Sequence, residues 1–186
     1  LYDGRDFKGA IEDYSKAIEI KPQYEDAYFD RGFAKRQLND FEGAIEDYSK
    51  AIEINPNSSD AYFDRGLTKR QLNDLDGAIE DYSKAIEINP KFELAYEGRG
   101  LSKNRLNDVK GAIEDFTKAI EINPHSSDAY CDRGSSKMEL ENIFGAIKDY
   151  SKAIRINPKC ETAYINRGLA KHVWNYLDDA IEDFTK

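Results

Sequence analysis

The sequence predicts an all-α protein, an α-solenoid of stacked antiparallel helix pairs. Three observations carry that expectation. The stretch AIEDYSKAIEINP stands at 44–56 and again at 78–90, with near copies at 10–22, 112–124 and 146–158 and a partial one, AIEDFTK, at 180–186. Pro22, Pro56, Pro90, Pro124 and Pro158 fall at a constant spacing of 34 residues, and a fixed period between 20 and 50 marks a stacked array rather than one globular core. Within each period the apolar residues recur at helical spacing.

With the recurring proline set at position 32, the chain reads as one array over 1–186. A partial repeat (1–24) precedes full repeats 25–58, 59–92, 93–126 and 127–160, and 161–186 supplies positions 1–26 of a fifth. The first two full repeats differ at 7 of 34 positions. Each repeat holds two helices. Residues 25–38 (EDAYFDRGFAKRQL) form the first, with Ala27, Tyr28, Gly32 and Leu38 at helical spacing. Asn39 follows, and asparagine tolerates the left-handed backbone that ends many helices. Asp40 is the expected N-cap of the second helix. In that helix, 41–54, Ala44, Ile45, Tyr48, Ala51 and Ile52 make an apolar stripe. Pro56 pushes Asn55 out of helical geometry and stops it. Ser58 or Ser59 is the expected cap of the next first helix. Gly32 and its repeats (Gly66, Gly100, Gly134, Gly168) and Ala44 and its repeats (Ala78, Ala112, Ala146, Ala180) let the paired helices approach, with Tyr48, Tyr82, Phe116, Tyr150 and Phe184 as the bulk between them.

This pattern resembles the tetratricopeptide repeat family: the 34-residue period, Gly at position 8, Ala at 20, an aromatic at 24, Ala at 27 and Pro at 32, with Tyr28 where the family often has Trp. The sequence departs from the family at position 7, where Arg31, Arg65, Arg99, Arg133 and Arg167 replace an apolar residue, and at position 11, which is Lys in the same five repeats (Lys35, Lys69, Lys103, Lys137 and Lys171). Position 23 is always Asp (13, 47, 81, 115, 149 and 183). A partly buried charge needs a partner, so a ladder of ion pairs is expected, each position-7 Arg meeting a position-23 Asp of its own or the preceding repeat.

The resemblance implies a right-handed superhelix and a concave groove that binds a peptide segment or helix of a partner protein, without catalysis. In the family, first-helix positions 2, 5, 6, 9, 12 and 13 line that groove. Here they are Asp26, Phe29, Asp30, Phe33, Arg36 and Gln37, then Asp60, Phe63, Asp64, Leu67, Arg70 and Gln71. The third repeat offers Leu94, Glu97, Leu101, Asn104 and Arg105, the fourth Asp128, Cys131, Asp132 and Met138, the fifth Asn166 and His172. The paired aspartates and the phenylalanines point to a basic, apolar ligand. The carboxylate clamp of chaperone-binding members needs Lys and Arg at positions 2 and 6, where three repeats here carry Asp, so that subtype is not expected.

The net charge of −9 argues against binding a phosphate backbone. No apolar run suits a membrane span, and mean hydropathy is −0.76. Cys131 and Cys160 read as free thiols of a reducing, cytoplasmic setting, too far apart on neighbouring first helices to bond. His125 and His172 belong to no triad. Asp74-Leu-Asp-Gly77 lacks the flanking acids of a calcium loop, Asn57-Ser-Ser59 is a glycosylation sequon only in a secreted chain, and no cofactor is expected. Trp174 and Tyr176 break the pattern of earlier repeats. The start at Leu1 reads as a fragment, which leaves an alternative: a regulatory or targeting arm of a larger enzyme. Apolar stacking faces at both ends would also allow end-to-end self-association.

Overall fold

The structure, a computed structural model, describes residues 6–184, with side chains through Asn175. Ten helices and no strands occur among the described residues: α1 (Phe7–Ile20), α2 (Glu25–Gln37), α3 (Phe41–Ile54), α4 (Ser59–Gln71), α5 (Leu75–Ile88), α6 (Glu93–Arg105), α7 (Val109–Ile122), α8 (Ser127–Glu139), α9 (Ile143–Ile156) and α10 (Glu161–Phe184). The class is that of an all-α solenoid of repeated helix pairs. Two compact bodies divide it, 1–98 and 99–186. In the first, α2 pairs with α3 and α4 with α5, while α1 packs on α2 and α3 on α4. In the second, α8 pairs with α9, which also packs on α10.

Local chemistry sets each boundary. First helices end where Asn39, Asn73 and Asn107 turn left-handed (φ 62, 63 and 66°), and Glu141 does the same at φ 59°. Second helices begin on a carboxylate: Asp6, Asp40, Asp74 and Asp108 each accept a hydrogen bond from the backbone N–H three residues on, and Asn142 stands in for them before α9. That third residue is always glycine, and a Cβ at Gly77 would collide with the Asp74 carboxylate. Ser58 sits at the N-cap of α4 but its hydroxyl makes no cap bond, whereas the Ser126 hydroxyl accepts from Ala129.

The helices of a pair touch at one small residue. A Cβ on Gly32 would stand 3.0 Å from the Tyr48 ring, on Gly100 2.9 Å from Phe116, and on Gly134 2.8 Å from Tyr150. Those rings are completely buried or nearly so, each contributing roughly 1.5–3 kcal/mol.

The ladder of ion pairs is present, and each rung lies within one repeat. Arg31 Nε donates to Asp47 Oδ2 at 2.9 Å and Nη2 to Oδ1 at 2.7 Å. Arg65 holds Asp81, Arg99 holds Asp115 and Arg133 holds Asp149 in the same two-pronged way. The position-11 lysine completes the rung: Lys35, Lys69, Lys103 and Lys137 reach the same carboxylates at 2.7–2.8 Å. The third arginine nitrogen reaches back one repeat, Arg31 to Ser15, Arg65 to Ser49, Arg133 to Thr117 and Arg167 to Ser151. Asp13, well exposed, meets Lys16 alone among the described residues, at 3.5 Å. Asp183, Phe184, Ala180 and Tyr176 lie outside the described side chains.

The fifth repeat departs from expectation. Where a turn was expected near residue 175, α10 runs unbroken. The sequence explains it: position 16 is Tyr176 instead of a capping Asp or Asn, and position 19 is Asp179 instead of Gly. Correspondingly, a Cβ on Gly168 would meet nothing within 4 Å.

Two stability outcomes are expected in urea titrations. Gly134→Ala should cost about 1–3 kcal/mol by overpacking against Tyr150, while Gly168→Ala should gain up to about 1 kcal/mol from helix propensity; equal effects would contradict the difference in packing. Asp81, with a side chain 3% exposed, should cost about 3 kcal/mol as Asp81→Ala because Arg65 and Lys69 are stranded. Arg65→Ala with Asp81→Ala should cost less than the sum of the two single changes.

Candidate functional site

The groove positions expected from the sequence define a candidate wall on the first helices of each body. In the first body it runs along α2, α4 and the start of α6. Asp26 and Asp60 are exposed in first turns, where acids complement the helix dipole. Asp30 is also exposed. Partial burial, then Asp26, push its carboxyl up, and the Tyr14 hydroxyl opposes them.

Asp64 is different. Its side chain is 16% exposed and accepts a hydrogen bond from Arg36 Nη2 at 3.0 Å. Burial pushes its pKa up to about 6, Arg36 pulls it down, and Asp60 adds to the rise. One charged contact does not make up for the lost water. This aspartate, expected to face a ligand, is therefore occupied by the chain's own arginine. The same geometry is missing one repeat further on. Arg70 corresponds to Arg36, but position 6 of the next repeat is Gly98, where a Cβ would stand 2.7 Å from the Tyr82 ring. Among the described residues Arg70 makes no ion pair; it lies beside the buried Tyr82 hydroxyl, whose pKa it opposes burial in raising.

The phenylalanines are not free-standing anchors. Phe29 packs on Tyr48 with ring centroids 5.6 Å apart, and Phe63 packs on Tyr82 at 5.8 Å and on Phe92 at 4.9 Å. Phe33 lies under the Arg36 guanidinium at 5.3 Å and lines an open depression with Phe7, Tyr14 and Asp30. Leu67 is half-buried, Gln37 and Gln71 are exposed, Leu94 is exposed and Glu97 half-buried. Two further open depressions, of about 600 and 490 Å³, lie over the rungs at Arg65/Asp81 and Arg31/Asp47 and involve none of the wall residues. They recur at the same repeat positions and so follow from the stacking.

In the second body, Leu101 and Asn104 are half-buried and Arg105 is exposed. Asn104 Nδ2 donates to Ser136 Oγ at 2.7 Å. Asp128 is exposed and Asp132 half-buried. Met138 and Asn166 line an open depression with Ser135, Tyr150 and Leu169. His172 is exposed on α10, and His125 stands in the turn before α8. Phe144 and Trp174 pack with ring centroids 6.3 Å apart, and Ile165 (63% exposed) and Leu169 (58%) are exposed on α10.

Cys131 corrects two expectations. It is 7% exposed and does not face solvent. Its sulfur is 3.8 Å from that of Cys160, both thiols being free. The distance argument failed because Cys160 lies in the turn before α10, not on a neighbouring helix axis, and its side chain reaches across. Sequence reasoning also missed the Arg36–Asp64 bond, for which the only signal was opposite charge at positions 12 and 6 of successive repeats. Among the described residues no three His, Cys, Asp or Glu side chains gather as a metal site, and no helix is long and apolar enough to cross a membrane.

Family models described as "TPR repeat" match residues 1–35 and 34–69, and models described as "Tetratricopeptide repeat" match 59–92, 95–126 and 127–160. No curated protein matches significantly. Among solved structures the chain is similar to a crystal structure of MamA (27% identity, 83% of this chain and 90% of that one, TM-score 0.80). It shares its fold with YrrB, described as a TPR protein with an unusual peptide-binding site (22%, 88% and 84%, 0.77). It also shares its fold with the first TPR of Spaghetti (RPAP3) bound to the HSP90 peptide SRMEEVD (21%, 63% and 93%, 0.62).

Asp64 gives a pH signature. Its folded pKa lies above the value of 3.8, so the folded state holds the extra proton between about pH 4 and 6, and stability falls as pH rises through that window. Relative to Asp64→Asn, the wild type should lose up to about 3 kcal/mol from pH 4 to pH 7. A difference that grows in the opposite direction would mean that Arg36, not burial, dominates.

Proposed function

The chain belongs to the tetratricopeptide repeat family, and from that premise we propose that it is a non-enzymatic scaffold of the cytoplasm that binds a peptide segment or helix of a partner protein along its first-helix wall. The observation that carries the binding mode is the uneven charge pairing of the wall in the first body. Asp26, Asp30 and Asp60 are exposed, Asp64 is taken by Arg36, and Arg70 has no carboxylate among the described residues. A fitting ligand carries basic residues for the exposed aspartates, apolar residues for the half-buried Leu67 and exposed Leu94, and one acceptor for Arg70. That YrrB and the Spaghetti TPR are described with peptide sites supports the class of ligand, not its sequence. The exposed Ile165 and Leu169 favour a second use, contact with another copy through α10.

Selection from a random 12-residue peptide library tests the reading. Enriched peptides should carry at least two Lys or Arg with Leu or an aromatic, and bind at about micromolar Kd. Asp26→Ala/Asp30→Ala/Asp60→Ala should weaken them roughly tenfold or more. Enrichment of acidic peptides, or indifference to the triple change, would overturn it. Sedimentation of the same samples separates the second use: association that disappears in Ile165→Asp/Leu169→Asp assigns α10 to self-contact, and a concentration-independent monomer removes that use.

A further inference from the structure

The chain's two cysteines, far apart in sequence, meet in space. Cys131 lies early in α8, and Cys160 stands immediately before α10. Their Sγ atoms are 3.8 Å apart. They occupy repeat positions 5 and 34. In repeat 59–92 the same two positions hold Phe63 and Phe92, whose rings pack at 4.9 Å. These positions are thus a contact between a first helix and the turn that leads into the next, and repeat 127–160 fills it with two sulfurs. Phe29 and Glu97, at position 5 elsewhere, are matched in sequence by Ser58 and Ser126.

We propose that Cys131 and Cys160 form a reversible disulfide that staples the start of α10 to α8, so that the surrounding redox state sets how firmly the last helix is held. A bond of about 2.05 Å requires the sulfurs to close by about 1.8 Å, and α8 and α10 are already in contact. Cys131 packs among Ile143, Ala146, Tyr150, Ala163 and Ala170, with Cys160 at the edge of that cluster. A disulfide there leaves no polar group without a partner. Cys160 is the more exposed of the two, so an oxidant reaches it first. Burial, then the Cys160 sulfur, push the Cys131 thiol up to about 12, which makes it the poorer first nucleophile of the two.

With a small-molecule disulfide as oxidant, the Cys160 thiolate attacks one of its sulfurs and expels one thiolate. The Cys131 thiolate then attacks Cys160 Sγ and expels the other. One disulfide breaks and one forms. The protein gives up two electrons to the reagent, and its two thiol protons end on the two released thiols. The small thiolate fraction at Cys131 slows the second step near neutrality, so closure quickens as pH rises. Nothing in this depends on what the wall binds.

The test uses the whole chain, reduced and then equilibrated in glutathione buffers from reducing to oxidising, quenched with acid, alkylated and weighed. The expected product is a monomer about 2 Da lighter with neither cysteine alkylated and a proteolytic fragment joining Cys131 to Cys160. Dithiothreitol should reverse it. Amide exchange in the first turns of α10 should slow roughly tenfold or more on oxidation. Cys131→Ser should instead carry one glutathione on Cys160. The proposal is overturned if both thiols stay alkylatable across the series, if glutathione settles on each separately, if disulfides form only between molecules, or if the bond forms and exchange in α10 is unchanged.

Discussion

A carboxylate that almost no water reaches holds each helix pair together. Asp47, Asp81, Asp115 and Asp149 are 2–3% exposed as residues, and each is gripped by an arginine through two nitrogens and by a lysine through a third contact. A buried charge is tolerable only when its oxygens are filled this completely. Arginine suits the task because its planar fork matches a carboxylate, and its remaining nitrogen is left to reach the preceding repeat. One side chain therefore fixes the register of two helices and of two repeats. The glycine beneath each aromatic ring depends on that register, since a shift along the helix would set a side chain where the ring must lie.

Much of this was legible in the sequence because it is local. The Asn that turns left-handed, the Asp that caps and the Pro that stops are each decided within a few residues, and α3 occupies the stretch expected of it, Phe41–Ile54. The Arg–Asp rungs were legible for another reason: a charge repeated at a core position of every copy demands a partner, and only one column of opposite charge was equally constant. Lys at position 11 accompanies every position-7 arginine, yet its target needs the three-dimensional pitch of the helix. The run-through of α10 was written in Tyr176 and Asp179, but its meaning requires knowing that cap and glycine act as one device.

The wall was the least legible part. A sequence counts charges, whereas a surface displays only those left unpaired. Asp30 and Asp64 are the same residue at the same repeat position, and one is exposed while the other is bonded to Arg36. What decides between them is the neighbour supplied by the adjacent repeat, which no periodicity reveals. The cysteines show the same gap. Helix-to-helix spacing was the wrong ruler for a residue seated in a turn.

The backward reach of the position-7 arginine has a consequence for how such a chain comes to have its length. Ser15, Ser49, Thr117 and Ser151 are interchangeable acceptors, so a junction of this kind does not care which copy precedes which. Unequal recombination between near-identical coding segments could then insert or delete a whole repeat without leaving a misfit seam. The junctions stay generic, and selection is free to diversify each copy's exposed face on its own. Copy number and recognition become separately heritable traits.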